Sequence, residues 1–338
     1  MKKSALDLGK LAHQLKKKGK FKEAEETYRE LLNLDKNNTY ALVGLGDLKR
    51  RSMRFEDAVG FYKQCLLIEK DNWHALAGLG DAYRGLKDLD KAIAAWFRCL
   101  KLHPYDHKTM TRVADCLKKK GDFENAKKYY FMALKKNPCD AYALMGLGLI
   151  AAKEKDDEKA LGFFEQVLEV SPDSVIALTA AANIHRNRQS FQKAIHLYEH
   201  ALKVNPRNSH AWHGKADCLR GTKEYTSAIG AWNRALENGM DRRIGLSRIG
   251  DSYIRLNDLD MAEANFKKAM AIGYDKYACL GISKVHELRG RLDKALEILS
   301  MLIHKEPQDR RIYTESRLFI NKHPDTVKTL SMSEELAA

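Results

Sequence analysis

The chain has 338 residues and a formal net charge of +14, from 59 lysine and arginine residues against 45 aspartate and glutamate residues. With 44% hydrophobic residues, 21 glycines and six prolines, the composition excludes a disordered or low-complexity chain. Neither a signal-peptide-like apolar run in residues 1–20 nor a membrane-span-like stretch occurs, so we predict a soluble, cytoplasmic protein, whose positive charge favours acidic partners.

An alanine recurs every 34 residues, and a large ring follows it four residues later in every copy but the last. The alanines are Ala24, Ala58, Ala92, Ala126, Ala160, Ala194, Ala228, Ala262 and, one residue early, Ala295. The rings are Tyr28, Tyr62, Trp96, Tyr130, Phe164, Tyr198, Trp232 and Phe266, with Leu299 in the last copy. Residues i and i+4 lie on one face of a helix. This period predicts a stack of like units that each bury an apolar face on the next.

Taking Ala24 as position 20 of a unit gives nine repeats with two predicted helices each. The repeats span residues 5–38, 39–72, 73–106, 107–140, 141–174, 175–208, 209–242, 243–275 and 276–309. The first helix, helix A, carries apolar or small residues at positions 4, 7, 8 and 11, which form one stripe of a helix. A break such as Gly121-Asp122 or Asn257-Asp258 separates it from helix B, because Gly and Asn end helices in the left-handed conformation. A proline such as Pro104 stops helix B.

These features resemble the tetratricopeptide repeat, whose signature is W-x2-L-G-x2-Y, then A-x3-F, then P at a 34-residue period. The stretch HALAGLGDAYRGLKDLDKAIAAWFRCLKLHP at 74–104 is similar to that signature almost throughout. The resemblance covers residues 5–309 and implies an all-α, right-handed superhelical solenoid of antiparallel helix hairpins, with helices A on the concave face. It also implies a protein that binds peptides or proteins and is not an enzyme.

The segments outside the repeats are short. We expect residues 1–4 to form an N-terminal extension. The spacing of Ile312, Ser316, Phe319 and His323 predicts a helix over 310–323 that caps the stack. Residues 324–338 have no strong pattern, and we expect a mobile tail there.

The seventh and eighth repeats lack the proline that stops helix B elsewhere. Met240 and Tyr274 replace it, each preceded by a glycine, Gly239 or Gly273, and the eighth repeat is one residue short. Two interpretations fit this pattern: a hinge or change of superhelical pitch near 239–275, or an equivalent cap with unchanged stacking.

No motif for catalysis or cofactor binding accompanies the repeats. The G-x-G strings, for example at 78–80, lie inside helix A and lack a third glycine, so they do not predict a nucleotide site. His196 and His200, like His210 and His213, have helical spacings that can bind a metal, but no carboxylate or cysteine completes either set. We therefore predict no catalytic residue, no metal and no cofactor.

The resemblance places positions 2, 5, 6, 9, 12 and 13 of helix A in the concave groove, where we predict the partner-binding site. Position 9 is acidic or an amide in six repeats, at Asp47, Asp81, Asp115, Asn183, Asp217 and Asp251. Position 12 is basic in six repeats, at Lys16, Arg50, Arg84, Lys118, Arg186 and Arg220. Position 2 offers rings as anchors, at Tyr40, Tyr142 and Tyr277. Small residues such as Gly44, Gly78, Gly146 and Gly214 stand at positions 5 and 6, which predicts room for a partner's backbone.

The acidic and basic rows allow two interpretations. Asp and Arg at i, i+3 can pair within one helix, for about 0.2–0.5 kcal/mol each. Alternatively, the acidic row binds N–H groups or basic side chains of a partner, and the basic row binds its carboxylates or phosphates. The recurrence of an Asp or Asn with a base three residues later in five repeats favours the second interpretation.

We predict a non-catalytic adaptor that binds a peptide or protein segment of acidic or mixed charge in the groove. The alternative is a structural scaffold subunit that joins a larger multiprotein assembly through its edges and ends. A second alternative is a basic nucleic-acid-associated protein, suggested by the net charge and by the lysines of 16–20 and 118–122. No aromatic–basic RNA motif accompanies these lysines, so nucleic acid is not the expected partner.

Overall fold

The computed structural model describes residues 4–324, which divide into two compact units after Ser171. We call residues 4–171 unit 1 and residues 172–324 unit 2. All regular secondary structure within residues 4–324 is helical. Over the same range, no helix combines the length and the apolar character that crossing a bilayer requires.

Unit 1 contains five helix hairpins in a row, and unit 2 contains four hairpins followed by one more helix. Odd-numbered helices up to α17 are helices A, and even-numbered helices are helices B. Unit 1 comprises α1 Ala5–Lys17, α2 Phe21–Leu34, α3 Thr39–Arg51, α4 Phe55–Ile68, α5 Trp73–Gly85, α6 Leu89–Leu102, α7 His107–Lys120, α8 Phe123–Lys136, α9 Ala141–Lys153 and α10 Asp157–Val170. Unit 2 comprises α11 Val175–Asn187, α12 Phe191–Val204, α13 Ser209–Gly221, α14 Tyr225–Glu237, α15 Arg242–Arg255, α16 Leu259–Ile272, α17 Lys276–Leu288, α18 Leu292–Lys305 and α19 Arg310–Lys322. Consecutive helices pack together within each unit, so the predicted all-α repeat fold is confirmed.

Each helix A begins at a side chain that caps its first turn. The capping residues are Ser4, Asn38, Asn72, Asp106, Asp140, Ser174, Asn208, Asp241 and Asp275. In the third repeat, for example, the Ala75 N–H donates to Asn72 Oδ1 at 2.9 Å. Such a cap contributes about 1 kcal/mol, because the first N–H groups of a helix have no partner within it. The caps thus set the residue at which each helix A starts.

The turn between helices A and B contains a left-handed residue in all nine repeats. Glycine or asparagine stands there in four of them, at Gly19, Gly121, Asn257 and Gly290, as the sequence predicted. In the other five the residue is Met53, Lys87, Lys155, Gln189 or Lys223, with φ between 58° and 67°. The left-handed conformation costs a residue with a Cβ about 1 kcal/mol or more. Packing of the two helices therefore imposes this turn against the local preference.

The alanine and the ring of each repeat form the buried core. All nine alanines are fully buried, and the eight rings are at most 1% exposed. The Tyr62 ring, for example, lies against Gly46 of its own repeat and Gly78 of the next. Burying a side chain of this size contributes about 1.5–3 kcal/mol. Each ring therefore joins its own hairpin to the following one within a unit.

The small residues at position 6 make room for these rings. Glycine follows each tyrosine repeat, at Gly44, Gly78, Gly146 and Gly214. A Cβ at any of these glycines would overlap the tyrosine ring of the preceding repeat. The prediction that this floor leaves space for a partner's backbone is therefore wrong at the glycines, because a ring of the chain itself fills the space.

The junctions after the seventh and eighth repeats differ from the proline-containing ones. At a regular junction the Asp106 N–H donates to the His103 carbonyl at 3.2 Å. The chain instead passes through a left-handed Gly239, with a φ of 91°, and an extended Gly273. At the second of these junctions, the Arg243 side chain of α15 donates from Nη1 to the Tyr274 carbonyl at 3.0 Å. The helices on either side of both turns still pack against each other.

Helix α19 packs against α18 at the end of unit 2. Its Ile312, Ser316 and Phe319 are buried, which places them on one face of the helix. The His323 ring lies 5.0 Å from the Phe319 ring, measured between centres. The tail predicted over 324–338 lies outside the described residues from position 325 onward, as do residues 1–3 of the predicted N-terminal extension.

Candidate functional site

The acidic and basic rows of unit 1 lie side by side on the face formed by helices A. In the first two repeats, the position-12 cation reaches the position-9 carboxylate of the next repeat. Lys16 Nζ is 3.0 Å from Asp47 Oδ2, and Arg50 Nη1 is 3.0 Å from Asp81 Oδ2. Arg50 also lies 3.6 Å from Asp47 of its own helix. The two rows therefore form a ladder of ion pairs within and between helices A.

Core tyrosines hold the carboxylates of this ladder from below. The Tyr62 hydroxyl donates to Asp47 Oδ1 at 2.8 Å, and the Tyr130 hydroxyl donates to Asp115 Oδ1 at 2.6 Å. Lys118 Nζ lies 3.2 Å from the same Asp115 oxygen. Burial and the adjacent carboxylate both raise the pKa of Tyr62 and of Tyr130. Both hydroxyls therefore stay protonated and act as donors.

Asp81 differs, because its repeat has Trp96 in place of the tyrosine. Three guanidinium groups surround its carboxylate, at 3.0 Å for Arg50, 3.2 Å for Arg84 and 3.6 Å for Arg112. The Asp81 side chain is only 7% exposed. The sequence prediction left Arg112 out of the groove residues, although a signal was present. An arginine stands at position 6 after each tryptophan repeat, where glycine follows each tyrosine repeat.

The rows of unit 2 continue the same pattern over α11 and α13. The Tyr198 hydroxyl donates to Asn183 Oδ1 at 2.7 Å. Arg186 Nη1 lies 3.5 Å from Asp217 Oδ2, and Arg220 Nη2 lies 3.8 Å from Asp217 Oδ1. Here too, the predicted acidic and basic site residues are brought together.

Asp251 is the exception in the acidic row. Among the described residues, no lysine or arginine nitrogen lies within 4.0 Å of its carboxylate. Burial raises the pKa of Asp251, and the positive charges of Arg248, Arg311 and Arg220 oppose that rise. The Arg311 guanidinium lies 5.0 Å from the centre of the Tyr277 ring. Cationic groups therefore outnumber anionic ones on this part of the helix A face.

The side chains at position 2 are exposed in both units. Tyr40 and Tyr142 are exposed in unit 1, and Tyr277 is exposed in unit 2. Ile176 and Ile244 occupy the same position in unit 2 and are exposed as well, although the sequence interpretation counted only rings as anchors. Exposed apolar side chains on a face that also carries charges are typical of a binding surface.

Clefts lie beside these position-2 side chains. In unit 1 a cleft of about 620 Å³ is lined in part by Arg84, Lys108, Arg112 and Tyr142. In unit 2 a cleft of about 460 Å³ is lined in part by Ile176, Arg186 and His210. Each cleft thus combines an exposed apolar group with at least one arginine.

The histidine pairs do not form metal sites with their neighbours. His213 Nε2 lies 3.5 Å from Asp217, and burial lowers the pKa of His213 while Asp217 opposes that effect. His200 Nε2 lies 3.1 Å from Asp173. Over residues 4–324, no three His, Cys, Asp or Glu side chains converge in a way that suits a metal ion.

Two family models, both described as tetratricopeptide repeat, match the chain. One matches residues 67–107, 114–175 and 179–242, and the other matches residues 8–38 and 246–272. Together they cover about two thirds of the chain, and both lie within the predicted repeats.

Several solved structures share the fold. The C-terminal part of a TPR repeat-containing protein from Cytophaga hutchinsonii aligns with a TM-score of 0.59 and 14% identity, over 71% of this chain and 98% of that one. The Cut9–Hcn1 hetero-tetramer of the APC/C gives 0.54 and 15% identity, over 78% of this chain and 52% of that one. Pseudomonas aeruginosa pilF gives 0.53 and 17% identity, over 59% of this chain and 91% of that one. Likeness at these identities concerns the fold alone.

A search of curated protein sequences gave no match. The alanine ladder, the hairpins and the family models nevertheless agree along the chain. The chain belongs to the tetratricopeptide repeat family, whose repeats generally mediate protein–protein interactions.

Proposed function

We propose that the chain is a non-catalytic adaptor that binds a peptide or protein segment, of acidic or mixed charge, on the face formed by its helices A. The observation that carries this proposal is the exposure of apolar side chains at position 2. Tyr142 is 79% exposed and Ile176 is 63% exposed, so neither is needed to pack the repeats. Covering them with a partner would recover the hydrophobic free energy that their exposure forgoes.

The charges on the same face favour a partner with acidic groups. In unit 1, carboxylates of the chain itself neutralise most of the basic row. In unit 2, Arg248, Arg255 and Arg311 surround the single carboxylate of Asp251 without an ion pair among the described residues. A guanidinium that is not fixed by its own carboxylate can bind a partner's carboxylate with two parallel hydrogen bonds.

The ion-pair ladder changes which residues we assign to the partner. Asp47, Asp81, Asp115 and Asp217 all have cationic neighbours on helices A. We therefore assign the main contacts to the position-2 side chains and to the arginines of unit 2. Direct contact of a partner with the acidic row stays a prediction.

Selection from a random peptide library on the full chain tests the proposal. We expect the selected peptides to combine apolar residues with Asp or Glu. Tyr142→Ala should weaken their binding at least about tenfold, which is about 1.4 kcal/mol. Tyr105→Ala is the matched control, because Tyr105 is 71% exposed but lies in the turn between α6 and α7. A peptide pool that binds both variants and the wild type equally well would contradict the proposal.

A scaffold subunit is the second candidate, favoured by the first helix. Leu6 of α1 is exposed beside a cleft of about 680 Å³ that it lines together with His13, Lys17 and Tyr40. A scaffold contact there predicts that Leu6→Glu abolishes binding of a purified protein partner, while Tyr142→Ala leaves that binding intact. The reverse result supports the adaptor.

A further inference from the structure

Two exposed phenylalanines on helices B of unit 1 each pack against a half-buried ring of the next helix B. The ring centres of Phe97 and Tyr129 are 5.7 Å apart, and those of Phe131 and Phe163 are 6.4 Å apart. Phe97 is 37% exposed and Phe131 is 53% exposed, while Tyr129 and Phe163 are half-buried against the core. We call these four residues the outer aromatic patch. It extends over three neighbouring helices B: α6, α8 and α10.

The repeat fold does not require this patch. Phe97 and Phe131 each directly follow the buried core ring of their repeat. The residues at the same place in unit 2 are Glu199, Asn233 and Lys267, and they are also exposed. Polar or charged side chains therefore also occur at this position, as at Arg29, Lys63 and Glu165 of unit 1. Exposed phenylalanines here forgo hydrophobic free energy without contributing to the packing of the repeats.

The charges around the patch are unevenly distributed. Lysines that are exposed and that pair with no carboxylate among the described residues stand on α4, α6 and α8, namely Lys63, Lys101, Lys128 and Lys135. Lys101 follows Phe97 by four residues, so the two side chains share a helix face. Lys135 stands in the same relation to Phe131. Helix α10 instead exposes Glu165 and Glu169. The patch is thus positive over α6 and α8 and negative at α10.

We propose that the outer aromatic patch binds an amphipathic helix of a partner protein. The apolar face of that helix covers the rings, its acidic flank lies over the lysines, and a basic residue near one end meets Glu165. Apolar residues at i, i+3, i+4 and i+7 form a stripe that can cover the two exposed rings, Phe97 and Phe131. The change of charge along the patch sets the direction of the helix. This contact is separate from partner binding on the helix A face.

Two other kinds of partner fit the patch less well. An extended strand gains its affinity from a sheet edge, and the backbone groups of α6, α8 and α10 are used within their own helices. An anionic bilayer would attract the lysines, but Glu165 and Glu169 at one end of the patch would repel it. A helix with charges of both signs matches the whole patch.

The test selects, on the full chain, from a displayed library of helical peptides that are randomised on one face and its flanks. We expect apolar residues at i, i+3, i+4 and i+7 with Asp or Glu beside them. Phe131→Ser should weaken binding of the selected helices at least tenfold. Lys101→Glu combined with Lys135→Glu should weaken it to a similar extent at low salt, and added salt should weaken binding to the wild type. Tyr142→Ala is the control on the other face and should leave binding unchanged.

Several results would overturn the proposal. Selected helices that bind equally well after Phe131→Ser contradict it, as does a library that yields no binding helix. Phe131-dependent binding of vesicles made of phosphatidylserine and phosphatidylcholine, without helix binding, assigns the patch to a membrane. A dimer in light scattering that Phe131→Ser dissociates assigns it to a second copy of the chain. If Phe131→Ser lowers the thermal midpoint, the double lysine variant decides the outcome instead.

Discussion

Arg112 of unit 1 and Arg248 of unit 2 occupy the same repeat position, each after a tryptophan repeat, yet their surroundings differ. Arg112 lies 3.6 Å from Asp81 of the preceding helix A. The corresponding carboxylate for Arg248 is Asp217, and its Oδ2 has a histidine nitrogen 3.5 Å away. That histidine stands where the third repeat has an alanine. The two sites thus differ in one side chain of the neighbouring helix A, and only Arg112 takes part in the ion-pair ladder among the described residues.

The exposed faces of helices B also differ from repeat to repeat, here in their apolar residues. The position that follows the core ring carries phenylalanine in two repeats of unit 1, at Phe97 and Phe131, and a polar or charged residue in its other three repeats and in unit 2. Because either kind occurs there, the packing of the repeat does not dictate the residue at this position. Comparing the repeats of the two units thus separates the residues that the packing of the repeat requires from those that it does not require.

The largest expected effect comes from neutralising a carboxylate of the acidic row, and it should differ between Asp81 of unit 1 and Asp251 of unit 2. Asp81→Asn leaves three guanidinium groups without their shared counter-charge and should destabilise unit 1 by about 2–3 kcal/mol. Asp251→Asn should cost nothing, because burial disfavours the charged form and no ion pair is lost. Native-state hydrogen exchange of the amides in α5 and α15 measures both. Equal losses at the two sites would remove the difference between the units.

The next largest effect concerns the glycines that lie against the core rings in both units. Gly78→Ala places a methyl group against the Tyr62 ring and should destabilise unit 1 by about 1–3 kcal/mol. Gly60→Ala makes the same change at an exposed helix position with nothing within 4 Å and should stabilise it by about 0.5–1 kcal/mol.

Unit 2 offers the same matched pair, Gly214→Ala against Tyr198 and Gly230→Ala in open space. Denaturant midpoints should move in opposite directions within each pair. A neutral Gly214→Ala would show that the core ring is less constrained in unit 2.

A smaller effect is expected at the left-handed turns. Lys87→Gly in unit 1 and Lys223→Gly in unit 2 relieve a positive φ of 62° and 67°, and each should stabilise its unit by up to about 1 kcal/mol. Lys128→Gly, at an exposed position inside α8, should instead destabilise unit 1 by about 1 kcal/mol. Thermal midpoints of the three variants check the sign of each change.

The smallest effect is the contribution of Asp251 to the pH dependence of stability in unit 2. The folded pKa of Asp251 is raised above its unfolded value, so the folded unit binds the proton more tightly. The contribution of this group to stability is present below the unfolded pKa and is lost as the pH rises through the folded pKa. Asp251→Asn should abolish this slope in the unfolding free energy of α15, measured as a function of pH. An unchanged slope would assign it to another group.

Much of the fold could be predicted because it depends on local patterns. The alanine and ring at i, i+4 define helix B, and the stripe on helix A defines its partner, so the hairpin follows from residues close in sequence. The 34-residue period then requires like hairpins to stack. The predicted site residues on helix A also lie together on one face, because the register of the helix sets their direction.

Contacts between repeats could not be predicted from the sequence, because residues about 31 positions apart meet only when two helices A pack together. No pattern within one repeat indicates that Arg50 reaches Asp81, or that a tyrosine ring fills the space above Gly78. The pairing of Phe97 with Tyr129 likewise arises from neighbouring helices B. The sequence alone determined the repeat, its register and the faces of its helices. Distances across the stack determined which charges are neutralised and which side chains stay open, because each depends on the residue that the next helix presents.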